Sequence, residues 1–221
     1  MRVSDVVLSS VQTLSPDTDL EDVFPEEFPD GLQHAPVLQD KQFLGFLPLF
    51  DLEIEREIHS KVGECTLEKT EVSALKNQHI FEVLPFFRKA GLPVLPVFGE
   101  EAMYEGILRL ESVLEWFADA YSFSTEGGIV VLSMAQHSYS LAEISRLVES
   151  NQAKILSVVL ETDPFSHMNL LVHIKLNISD VSRVVATLER FEYQVVEVFH
   201  KGATTSLDQE RLDQLMKYLG I

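Results

Sequence analysis

At 221 residues the chain can hold one large domain or two small ones, and its 46% hydrophobic content suffices for real cores. A net charge of -18 repels phosphate backbones and anionic lipid headgroups, which argues against nucleic acid and membrane as partners. One cysteine, Cys65, excludes an internal disulfide and suits a reducing compartment.

The first residues carry charge too early, and too little apolar length, for a signal peptide, and no apolar run approaches a membrane span. A soluble, cytoplasmic protein is expected. A short helix is predicted over residues 3–8, then an extended segment over 11–14. That segment ends at Ser15-Pro16-Asp17, because Pro16 drives Ser15 out of the α region. Asp17 and Asp19 suit the cap of a short helix over 20–24, which Pro25, Pro29 and Gly31 bring to an end. The acidic residues here do not alternate around a glycine as calcium ligands do, and read as a solvated face. A strand over 35–38, a turn over 39–42, a strand over 43–47 and a helix over 50–57 follow.

The order then recurs. Residues 72–75 are extended, Asn77-Gln78 form a turn, and a helix over 80–90 contains Pro85, which should kink it or shift its start. Strands over 94–98 and 104–108 flank a turn at Gly99, and a helix over 112–120 closes the unit. His34-Ala35-Pro36-Val37 and Leu95-Pro96-Val97 open one strand of each copy. Gly45 and Gly106 lead the other, at a spacing of roughly sixty residues. Cys65, between the copies, has the setting of a small buried residue.

Ser124-Thr125-Glu126-Gly127-Gly128 reads as a linker and domain boundary. Beyond it lie a strand (129–134), a helix (141–150), strands (154–161 and 169–177), a helix (181–191) and a strand (194–199). This βαββαβ order is the split-βαβ, ferredoxin-like arrangement. Ser140-Leu141-Ala142-Glu143 is a capping box, and Leu141, Ile144, Leu147 and Val148 form its helix's apolar stripe. The run Ile129-Val130-Val131-Leu132 is apolar on both faces, so a second surface must cover the side without helices. A tail helix over 206–221 completes the α+β chain.

The doubled unit resembles the cystathionine-β-synthase (CBS) domain, which occurs in tandem as a Bateman module binding adenine nucleotides or related ligands. The matching residues are Val11-x-Thr13, Ser15-Pro16-Asp17, Pro36-Val37 and Gly45 through Asp51, then Val72-x-Ala74, Pro96-Val97 and Gly106 through Ser112. Residues 127–200 resemble an ACT domain, a ferredoxin-like regulatory module. The layout is similar to the bacterial acetoin-utilisation CBS/ACT proteins. It implies a tandem CBS pair over 1–122 (copies 1–58 and 59–122), an ACT-like domain over 127–200 and a C-terminal helical tail over 201–221.

The resemblance implies a non-enzymatic regulatory protein that senses a small ligand such as AMP, ATP or S-adenosylmethionine. The alternatives are a ligand-free scaffold and, more distantly, an enzyme of acetoin metabolism. No acid–base, nucleophile, P-loop or glycine-rich dinucleotide pattern favours an enzyme, and the seven histidines show no metal-ligand spacing. In CBS modules an Asp after the Gly strand accepts hydrogen bonds from ribose hydroxyls. Asp51 holds that position in the first copy and Ser112 in the second, which favours the cleft that uses Asp51. Asp51 suits a helix cap equally well. Pro48 and Arg109 replace the usual hydroxyl residue. Arg109 could grip phosphate, though a surface pairing with Glu111 or Glu115 reads more naturally. Thr13, Pro36, Val37, Ala74, Pro96 and Val97 complete the implied lining. In the ACT-like unit Tyr139 stands where a ligand-approaching Gly would, so an assembly role is expected. A homodimer is expected through the CBS pair, helped by Val113, Leu114, Trp116 and Phe117.

Overall fold

A computed structural model describes residues 1–200 and the backbone of residues 203–206. The fold is mixed α and β, in two compact units, Met1–Trp116 and Phe117 onward.

In the first unit, a 3-10 turn, Val3–Asp5, replaces the predicted first helix, and Leu8 instead forms an antiparallel bridge with Ile107. Of the segment over residues 11–14 expected to be extended, Leu14 bridges Val37 in parallel. The helix expected over 20–24 is two 3-10 turns, Leu20–Asp22 and Pro25–Glu27, because Pro25 has no N–H for an i→i−4 bond. Strands β1 (His34–Gln39) and β2 (Gln42–Pro48) make an antiparallel hairpin, and α1 (Leu52–Ile58) follows. In the second copy β3 (Ala74–Leu75) lies parallel to β4 (Val94–Phe98), which pairs antiparallel with β5 (Tyr104–Arg109). Helix α2 (Ile80–Ala90) starts where expected and runs through Pro85; it buries Ile80, Val83 and Phe87 and stops at left-handed Gly91.

The two hairpins match in detail. Each turns through two left-handed residues, Asp40-Lys41 and Glu101-Ala102, and each has a bulge at the same place, after Val37 and after Val97. The copies also exchange chain. Leu8 of the first copy exchanges both backbone hydrogen bonds with Ile107 of the second, whereas Glu68 of the second does the same with Phe46 of the first. Gly45 and Gly106 lie under these crossings with φ of +157° and +143°. A Cβ on Gly45 would sit 2.9 Å from the Glu68 carbonyl oxygen. One hydrophobic core therefore runs through both copies, from Leu14, Val37 and Phe46 to Val94 and Ile107. Phe43 of the first copy stacks on Tyr104 of the second, with ring centres 5.8 Å apart and planes 3° from parallel.

Helix α3 (Leu110–Asp119) begins two residues earlier than predicted. Of the side chains expected to face a neighbouring molecule, Val113 points into the chain's own interior, while Leu114 is exposed.

The second unit opens with α4 (Tyr121–Ser124), then β6 (Ile129–Ala135), α5 (Leu141–Ser150), β7 (Ile155–Thr162), β8 (Asn169–Leu176), α6 (Ser182–Arg190) and β9 (Gln194–His200). A last strand, β10 (Ala203–Ser206), occupies residues expected to lead into the tail helix; the rest of that helix lies outside the described residues. The sheet order is β10-β9-β6-β8-β7, with every neighbour antiparallel. Helices α5 and α6 cover one face, where Val130, Leu132, Val172 and Ile174 join Ile144, Leu147, Val184 and Leu188. Ser140 caps α5 by accepting from the Glu143 N–H.

Val131 turns to the other face yet is only 1% exposed. Helix α4 lies against that face, where the Phe123 carbonyl accepts a 2.8 Å bond from Lys175 Nζ. The Gly127-Gly128 pair is not a loose linker. A Cβ on Gly127 would lie 2.9 Å from the Leu176 carbonyl carbon, and Gly128 exchanges backbone hydrogen bonds with Ile178 and Leu176. The glycines are there because a strand passes at contact distance.

Candidate functional site

Between the copies, a cavity of about 200 Å³ opens where the start of β1 meets the start of β4 and the end of β5. Residues 31–34 line it from the first copy, and Pro93, Val94, Arg109 and Glu111 from the second.

His34 is the one buried polar residue among the described residues, at 4% exposure. Its burial follows from its place at the head of β1, whose next three residues are core. Phe46 and Phe50 present their rings roughly perpendicular to the imidazole, at 6.4 and 5.8 Å. Nε2 lies 2.9 Å from Glu68 Oε2, brought there by the Glu68–Phe46 bridge. Nδ1 is buried without a partner in the chain.

Arg109 is less exposed than a surface residue would be, with 14% of its side chain accessible. It does pair with Glu111, and Nη1 also donates to the Asp30 carbonyl oxygen at 2.9 Å. Its Nε is buried and unpartnered. The guanidinium on the cavity wall is the group there that suits an oxyanion. The structure places no nucleophile with an adjacent base at this cavity.

The other implied site residues are spread out. Pro36, Val37, Ala74, Pro96 and Val97 are buried in strands, so their side chains serve the core. Thr13 is exposed. Asp51 precedes α1 but makes no side-chain cap hydrogen bond, which leaves its half-buried carboxylate uncommitted to the cap role. Ser112 lies inside the first turn of α3, one residue beyond Glu111. Only Arg109 of the implied set lines the cavity. Metal-ligand spacing among the histidines does not single out His34; the signal the sequence holds is a polar residue opening an otherwise apolar strand.

Elsewhere, Cys65 is buried and its Sγ donates to the Lys61 carbonyl oxygen at 3.6 Å. Burial, helped by the neighbouring Glu55, pushes its thiol up to about 12, which suits an unreactive core residue. His173 faces away from the helices and pairs with Glu161 at 3.1 Å. In the second unit a cavity of about 390 Å³ is lined by Ser133, Glu143, Tyr193 and Gln194 among others. Burial and then the Glu143 carboxylate push the Tyr193 hydroxyl up. Among the described residues no cluster of His, Cys, Asp and Glu could hold a metal, and no helix is long and apolar enough to cross a membrane.

No family model matches the sequence, and no curated protein matches it. Solved structures similar to part of the chain are CBS domain pair proteins. A CBS domain pair/ACT domain protein from Thermotoga maritima is 20% identical, with a TM-score of 0.46, over 55% of this chain and 99% of its own. A hemolysin-like CBS protein of Oenococcus oeni is 20% identical, with a TM-score of 0.45, over 52% of this chain and 88% of its own. The CBS domain of a bacterial CNNM/CorC family Mg2+ transporter, solved in complex with ATP, is 18% identical, with a TM-score of 0.45, over 52% and 85%.

Proposed function

We propose that the chain is a non-enzymatic regulatory protein in which a tandem CBS pair, residues 1–122, senses an adenine nucleotide or related adenosyl compound between its two copies. The ACT-like, ferredoxin-like domain over residues 127–200 and the tail over 201–221 serve assembly, and the working form is a cytoplasmic homodimer. The observation that carries the reading is the cavity where corresponding strands of the two copies meet, lined by His34 from one copy and Arg109 from the other. Arg109 holds the charged group. Asp51, whose carboxylate is not spent on a cap, accepts from the ribose hydroxyls, and Ser112 does so less strongly.

The test is thermal unfolding with AMP, ATP, S-adenosylmethionine and amino acids. A ligand at a hundred times its Kd adds about 2.7 kcal/mol, which raises Tm by roughly 5–10 °C for a chain of this size. Asp51→Ala should abolish the shift and Ser112→Ala should leave most of it. Equal losses count against the assignment of Asp51, and no shift with any adenine compound leaves the scaffold reading in its place.

A further inference from the structure

The turn that leads into β1 holds the chain's one Asp-Gly pair, Asp30-Gly31. It is closed by a 2.9 Å bond from the Leu32 N–H to the Pro29 carbonyl oxygen, and Gly31 takes its left-handed corner with φ of +77°, as in a type II turn. Both residues of the pair are exposed, and the turn's bond leaves the Gly31 N–H unused. The nearest atom to a Cβ built on Gly31 is Glu111 Oε2 at 3.7 Å, so no side chain crowds the peptide between the two. The Asp30 carbonyl oxygen accepts a 2.9 Å bond from Arg109 Nη1, while Glu111 takes Nη2.

We propose that Asp30 is a modification site, at which the bond to Gly31 migrates from the backbone carboxyl to the side-chain carboxyl, and that Arg109 directs the migration and holds its product. The chemistry needs only water. In the first step the Gly31 nitrogen bonds to Asp30 Cγ; one carboxyl oxygen leaves as water, taking the amide proton, and a five-membered imide closes. Glycine suits this step because it puts no side chain beside the attacking nitrogen and resists no backbone rotation. In the second step water adds to the backbone carbonyl carbon. The bond from that carbon to the Gly31 nitrogen breaks, the nitrogen regains a proton and stays on Cγ, and the former backbone carbonyl becomes a free carboxylate.

Arg109 decides which carbonyl of the imide reopens. Its Nη1 starts beside the backbone carbonyl oxygen, the atom that gathers negative charge when water adds there and keeps it in the product. A neutral hydrogen bond thus becomes a charge-assisted one, which opening at Cγ does not provide. Gly31 and Arg109 both line the cavity between the copies, so the migration puts a carboxylate on the cavity's guanidinium while the net charge of the chain stays the same.

The unaltered full chain, incubated in heavy-oxygen water and digested, provides the test. Each closing and reopening of the ring exchanges one carboxyl oxygen with solvent, whichever carbonyl reopens, so label in the Asp30 peptide reads the reaction. Chromatography separates the isoaspartyl from the aspartyl form at equal mass and reads its direction. Label should collect at Asp30 ahead of every other aspartate. The ratio of isoaspartyl to labelled aspartyl product should be about fivefold higher in the folded chain than in the chain unfolded in guanidinium chloride. Arg109→Gln should return that ratio to the unfolded value while label uptake continues. The folded-against-unfolded comparison uses the natural sequence throughout, so it does not depend on a variant's folding. No label at Asp30 of the folded chain, over a period that converts the unfolded chain, overturns the proposal. A product ratio equal in the two states overturns the part given to Arg109. Neither measurement depends on whether an adenosyl compound binds.

Discussion

Gly106→Ala is the sharpest test of how the two copies are joined. The new Cβ would sit on a residue with φ of +143°, 2.9 Å from both the Leu8 carbonyl carbon and the Ser9 Cα, and closer still to the Leu8 oxygen. Holding a residue with a Cβ in such backbone costs about 1–3 kcal/mol. Moving the Leu8 segment away breaks two hydrogen bonds, Leu8 N–H to Ile107 O at 2.9 Å and Ile107 N–H to Leu8 O at 3.1 Å. At about 1 kcal/mol each, these bring the total to about 3–5 kcal/mol, and Tm should fall by about 6–20 °C. Urea denaturation and scanning calorimetry both read it, with an unchanged m-value showing that stability rather than compactness has changed. Gly91→Ala is the control. Gly91 is also left-handed, with φ of +68°, but nothing lies within 4 Å of its would-be Cβ, so only about 1 kcal/mol is at stake. If Gly106→Ala is no worse than Gly91→Ala, the Leu8 segment does not press against Gly106.

Tyr104→Phe should stabilise. The hydroxyl is buried without a partner, and removing it leaves the ring stacked on Phe43 in place, for a gain of about 1 kcal/mol and a Tm rise of about 2–4 °C. Burial pushes this phenol up, so the folded state holds the proton more tightly than the unfolded chain; its contribution is complete below the usual tyrosine value of about 10 and is lost as pH rises beyond it. The Tyr104→Phe protein should therefore lose less stability in alkali, and a fall in Tm at neutral pH would refute the account. The homodimer should appear in light scattering as twice the chain mass. Ile54 and Ile58 lie exposed four residues apart on α1, with Phe50 exposed just before it, so Ile54→Glu with Ile58→Glu should shift the protein toward monomer. A monomer at micromolar concentration for the unaltered chain counts against the dimer.

What was legible in the sequence is what local chemistry decides. Helix α5 begins after Ser140 because its hydroxyl caps the Glu143 N–H, and α2 ends at Gly91 because only a residue free in left-handed backbone turns the chain there cheaply. The strand repeat was visible because Pro36-Val37 and Pro96-Val97 bury in the same register. What was not legible depends on residues far apart in the chain. Leu8 and Glu68 carry no periodic signal that they would lie on strands of the opposite copy. Gly127 and Gly128 looked like a linker because glycine marks both looseness and close approach, and only the neighbouring strand distinguishes the two. His34 and Arg109, 75 positions apart by number, became a site only when the two hairpins met.

The exchange of chain between copies bears on how such a molecule can come into being. A duplicated unit is usually pictured as two beads, each able to fold and to be cut away. Here the strand beside Ile107 is supplied from Leu8, and the strand beside Phe46 from Glu68. Severing the chain between the copies would leave each half with a bare Gly strand and an orphaned arm, so neither half is a smaller version of the whole. The contacts that close the second copy span about a hundred residues, and loop-closure entropy must be met before they form. During synthesis Leu8 must therefore wait for its partner Ile107, although Val3 and Ser4, just before it, bond earlier to Gln78 and Lys76.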